Sequence, residues 1–164
     1  MNFKFFLVFW IAVNFCFSQE VKIDQAALLK RYTGEWLGSV SPDMNEVSKN
    51  PEIKMVNVQK MGGNSIQVEV LQLQDGIYIP ILLELISYDV TTDQIVALGQ
   101  NKKGECFTGV GRFYDKDNWT MQDKDFQGNP TQTVSFKFLS DSEVYLEGVD
   151  AKGKILWRTR YVKI

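Results

Sequence analysis

The chain has 164 residues, Lys+Arg 18 against Asp+Glu 20, and no histidine. Its mild acidity and lack of any Lys/Arg run exclude a phosphate-backbone footprint, so no nucleic-acid partner is expected. Without histidine the chain lacks the commonest general base and the usual zinc, copper and haem ligand, and neither a cofactor nor a metal is expected.

The first 18 residues differ from the rest. Lys4 is their only charge, residues 5–13 form an unbroken apolar run, and Cys16 and Ser18 put small residues before a cut between Ser18 and Gln19. This is the pattern of a signal peptide (1–18) on a secreted or periplasmic protein, with residues 19–164 as one domain. The apolar run is too short to span a bilayer, so no transmembrane span is expected. Lipidation at Cys16 would need a small residue before it, where Phe15 stands. After cleavage Cys106 is the only thiol, which forbids an internal disulfide; its place in a strand-like run predicts burial.

Asp24 precedes a run of good helix formers that Thr33-Gly34 stops, predicting a helix of about two turns. From there the hydrophobic period becomes two. Ile66-Val68-Val70, Ile77-Ile79-Ile81-Leu83-Leu85, Val134-Phe136-Phe138 and Ile155-Trp157 with Tyr161 alternate with polar residues, as strands with one buried face do. Turn signals at Gly62-Gly63, Asp75-Gly76, Lys103-Gly104, Gly128-Asn129 and Lys152-Gly153 are spaced too closely for crossover helices. The expectation is an all-β chain of about eight to ten antiparallel strands joined by hairpins. A sandwich and a barrel both fit; closure, which removes sheet edges, favours an up-and-down barrel. Residues 41–51, bracketed by Pro42 and Pro51, read as a long loop between the first two strands, placed to cover an opening.

The helix runs directly into Gly34-Glu35-Trp36, and the final strand carries Arg158 and Arg160. A short helix, Gly-x-Trp at the first strand and a terminal Arg resemble the lipocalin group of the calycin superfamily, among small secreted bacterial β-barrel proteins of unassigned function. The resemblance implies that Trp36 plugs one end of the barrel and that Arg158 or Arg160 packs across its ring.

Eight strand aromatics, Phe107, Phe113, Trp119, Phe136, Phe138, Tyr145, Trp157 and Tyr161, either fill the barrel or line a pocket in it. Tyr88, Tyr145 and Tyr161 are candidate polar handles. Glu84, inside an apolar strand, is expected to face solvent or to be paired, and the solvent-facing reading is preferred. Asp115-Lys116-Asp117-Asn118 lacks the glycine and distal Glu of an EF-hand and reads as a polar turn. The leading functional expectation is a monomeric binder of a small hydrophobic or amphipathic ligand. The alternatives are a filled barrel contacting a protein partner or an envelope glycan, and more remotely an enzyme using carboxylate or tyrosine chemistry; no catalytic residue is assigned.

Overall fold

The computed structural model describes residues 22–40 and 52–164. The predicted leader and the predicted loop at 41–51 lie outside the described residues. Among the described residues one α-helix, α1 (Gln25–Lys30), precedes ten strands: β1 (Gly34–Val40), β2 (Ile53–Lys60), β3 (Ser65–Gln74), β4 (Ile77–Asp89), β5 (Gln94–Asn101), β6 (Cys106–Phe113), β7 (Asn118–Asp125), β8 (Pro130–Ser140), β9 (Glu143–Val149) and β10 (Ile155–Lys163). Each strand pairs antiparallel with the next, and β10 returns to β1, closing an up-and-down barrel. Strands of seven to thirteen residues, joined from β2 onward by short turns, leave this meander as the direct solution. The Asp75-Gly76 hairpin is a two-residue turn with positive φ at both positions, the geometry an Asp-Gly pair favours.

Alternation places Trp36 of β1, Met55 of β2, Ile66 and Val68 of β3, Trp119 and Met121 of β7, Phe136 of β8, Leu146 of β9 and Tyr161 of β10 in the buried core. In β4 the phase differs from the sequence reading. Ile81 is an extra residue between Pro80, opposite Leu71, and Leu82, opposite Val70, so the strand carries a β-bulge. The run 77–79–81–83–85 alternates in sequence, but Leu83 and Leu85 are 52% and 40% exposed on the outer wall, while Glu84 and Ile86 are buried. A one-residue offset exchanges the two faces of a strand.

The helix closes one end. Asp24 caps it by accepting from the Ala27 amide at 2.9 Å. The buried Gln25 amide pins it to β6, donating to the Phe113 carbonyl at 2.9 Å and accepting from the Phe113 N–H at 2.7 Å. Arg31 spans the neighbouring turns, bonding the Lys116 carbonyl, Asp117 at 3.1 Å and Asp141 at 3.0 Å, with its guanidinium 4.4 Å from the Phe138 ring centroid. The Asp115 carboxylate accepts from the Asp117 and Asn118 amides at 2.8 Å, as the polar turn read from sequence requires.

Candidate functional site: a cavity between the aromatic floor and the open end

Tyr32, just after α1, is the centre of the closed end. Its carbonyl accepts from Trp36 Nε1 at 3.1 Å and Asn57 Nδ2 at 2.6 Å, and its hydroxyl donates to Met55 Sδ at 2.9 Å. Its ring meets Trp119, Phe136 and Phe138 edge to face, with centroids 5.8 to 6.4 Å away. Trp119 stacks on Phe136 at 3.7 Å and on Phe113 at 5.2 Å. These rings form a packed floor, the arrangement in which aromatic pairs gain energy beyond burial alone.

Above the floor is a cavity of about 920 Å³ that opens at the end opposite α1. Tyr32, Met55, Val68, Met121 and Phe136 line its depth; Asn101, Gly104, Glu105, Cys106, Phe126 and Leu156, at the ends of strands and in their turns, form its lip. Ile53, where β2 begins, also lines it. Room arises because several interior positions of β5 and β6 carry little or no side chain. The interior rows crossing β4 to β7 are Glu84, Gly99, Phe107, Asp125 and Ile86, Ala97, Gly109, Asp123. The Phe107 ring lies where a Cβ on Gly99 would be, and Asp123 Oδ1 approaches within 2.7 Å of a Cβ position on Gly109. Either glycine replaced by a larger residue would push these groups aside.

Two buried carboxyls, Glu84 and Asp123, stand among the apolar and aromatic residues of the cavity wall. Glu84 is 7% exposed and Asp123 2%, and neither Glu84 Oε1 nor Asp123 Oδ1 has a hydrogen-bond partner among the described residues. Asp123 is held by a relay: Trp157 Nε1 donates to Gln132 Oε1 at 2.9 Å, and Gln132 Nε2 donates to Asp123 Oδ2 at 2.9 Å. Trp157 can lie there because the facing residue is Gly148, where a Cβ would come within 2.4 Å of the indole. Burial, reinforced by the neighbouring Asp123 charge, pushes the Glu84 carboxyl up to about 8. Burial raises Asp123 to about 6, opposed by the Gln132 hydrogen bond. Burial also raises the Tyr32 and Tyr161 hydroxyls, so both remain neutral donors at physiological pH.

The eight aromatics expected at a pocket divide by height and by face. Phe107, Phe136, Trp157 and Tyr161 line the cavity. Phe113, Trp119 and Phe138 are fully buried in or beside the floor and do not line it. Tyr145 points outward from β9, where Val144, Leu146 and Gly148 take the interior phase, and its hydroxyl donates to Glu147 at 3.2 Å. Tyr88 lies outside the cavity and donates to Asp93 at 2.9 Å.

Three further expectations are corrected. Glu84 is neither solvent-facing nor matched with a cation; the bulge in β4 turns it inward. Cys106 is exposed, because β6 begins at the lip of the cavity. The cation at Trp36 is Lys163, its register partner on β10, with Nζ 5.1 Å from the ring centroid. Arg158 and Arg160 have the opposite phase to Trp157, Thr159 and Tyr161 and bond Glu147 and Glu143 at 2.6 and 2.7 Å. Trp36 itself is fully buried.

Sequence patterning could not reveal Asp123 and Gln132, because both are polar residues in strands, where the bland reading is a solvated face. Their one available signal is period two: Trp119, Met121 and Asp123 share a phase on β7.

The closed ten-strand antiparallel barrel is consistent with a calycin-like fold. No family model matches the chain, and no curated protein matches it. Among the described residues no helix is long and apolar enough to cross a membrane.

Proposed function

We propose that the protein is a lipocalin-like binder that holds a small amphipathic molecule inside the barrel, in a secreted or periplasmic setting. The observation that carries this reading is the cavity of about 920 Å³, walled largely by Met, Val, Phe, Trp and Tyr and, among the described residues, open at the end opposite α1. Sites for small molecules have this composition, an apolar wall with a few placed polar groups, and fall in this size range. Each square ångström of apolar ligand surface buried there contributes roughly 25 cal/mol. The space also counts against the alternative of a filled barrel.

The test is a fluorescence titration with Nile red, a neutral apolar dye, against the wild type, Phe136→Ala and the cavity-filling Val70→Trp, with circular dichroism confirming the fold of each. The wild type should bind with micromolar affinity, Phe136→Ala should change that affinity severalfold, and Val70→Trp should abolish it. Failure of the folded wild type to bind overturns the carrier reading.

A further inference from the structure

We propose that the ligand carries a cationic nitrogen, and that Glu84 and Asp123 are its receptors inside the cavity. The proposal rests on the carrier reading above and deepens it. Four carboxyl residues line the cavity, Glu84 and Asp123 within and Glu105 and Asp125 near the lip, and no Lys or Arg among the described residues lines it with them. Where a binding barrel awaits an anionic amphiphile such as a fatty acid, a buried cation is the expected counter-charge; here the interior has the opposite sign.

The deciding detail is the pair of unpartnered oxygens. Glu84 and Asp123 line the cavity, and in each side chain one buried oxygen, Glu84 Oε1 and Asp123 Oδ1, accepts nothing from the described residues. A purely apolar ligand at this depth leaves both acceptors unsatisfied, which costs more per group than a hydrogen bond contributes. An ammonium group carries several donors and a charge, and answers what these carboxyls lack. The relay from Trp157 through Gln132 holds one Asp123 oxygen, while the other has no partner among the described residues. Phe136, Trp157, Tyr161 and Tyr32 supply ring faces around the same space, and aromatic faces attract organic cations. An inorganic divalent ion is the poorer fit: calcium requires six to eight oxygen ligands, and no cluster of three or more acidic, His or Cys side chains fit for a metal exists among the described residues.

Protonation follows. The groups facing Glu84 and Asp123 are each other, the neutral Tyr32 and Tyr161 hydroxyls, and at the lip Glu105 and Asp125. In the unliganded barrel at neutral pH the pair holds a proton on Glu84. An entering ammonium displaces that proton, so binding tightens as pH rises, by up to tenfold per pH unit for one proton released.

The experiment compares three ten-carbon probes of equal length, decylammonium, decanol and decanoate, by calorimetry at pH 7.5. Decylammonium should bind at least tenfold more tightly than the other two. Glu84→Gln and Asp123→Asn should each lower its affinity about tenfold while leaving decanol unchanged, which also shows that the variants are folded. Repetition at pH 7 in buffers of different ionisation enthalpy should show proton release approaching one. If decanol or decanoate binds as tightly as the amine, the cationic preference is wrong and the carrier reading stands. If none of the three binds, both fail. An amine preference that survives both substitutions overturns the assignment to these two carboxyls.

Discussion

Glu84 occupies a position where an ionised side chain has neither water in bulk nor a cation beside it, and this has a measurable effect on stability. Its folded value of about 8 lies above the ordinary 4.5, so the folded state holds a proton that the unfolded chain has released. Between those values the unfolded state binds fewer protons, and stability falls as pH rises, by at most about 1.4 kcal/mol per pH unit. Asp123 adds a smaller slope of the same sign between 3.8 and about 6. Glu84→Gln removes the larger slope. Urea unfolding of the wild type should therefore lose stability from pH 5 to pH 8, while the variant stays flatter and becomes the more stable of the two near pH 8. Parallel curves for the two proteins would show that Glu84 is ionised throughout, contrary to its burial.

At the scale of single elements, one polar side chain of the helix carries its hydrogen bonds to the barrel wall. Gln25 alone, through both ends of its amide, ties α1 to the Phe113 backbone. Gln25→Ala leaves a buried carbonyl and a buried N–H without partners, at a cost of about 2 to 4 kcal/mol. Hydrogen exchange should localise the loss to residues 25–32 and to β6 near Phe113, with β2 to β5 protected as before. Loss spread evenly over all strands would mean that the helix is not a separable cap. The helix itself was legible in the sequence, because an Asp cap and a Thr-Gly stop are local chemistry. The turns between described strands were equally legible, since Asp-Gly, Gly-Gly and Lys-Gly pairs declare their own backbone needs. The facing of β4 was not, because its bulge depends on a long-range register between Val70 and Leu82 that alternation within one strand cannot register. The Arg158 and Arg160 assignment illustrates the opposite case. Period two already sets both residues out of phase with Trp157 and Tyr161, so the phase of β10 argued for the outer face, where the structure puts them.

For the whole molecule, closure separates the two ends by role: helix, rings and Arg31 ties at one, a cavity mouth at the other. The β1–β10 pairing leaves neither terminal strand with a free edge, so the barrel wall is continuous around the cavity and access is confined to the mouth. Cys106 stands on that mouth, exposed and among the lining residues, which makes it a reporter of occupancy. A bulky maleimide should label the folded protein readily, with Cys106→Ser as the control that assigns the reaction to this position. Saturating Nile red or decylammonium should slow the labelling several-fold, since a ligand filling the cavity covers the lip from within, and should also raise the melting temperature, because binding only the folded state adds about 2.7 kcal/mol at a hundred times Kd. The two readouts together locate the ligand: a raised melting temperature with unchanged labelling places it away from the mouth, on the outer wall where Leu83, Leu85 and Leu98 are exposed. Unchanged values of both would remove the cavity from consideration as a binding site.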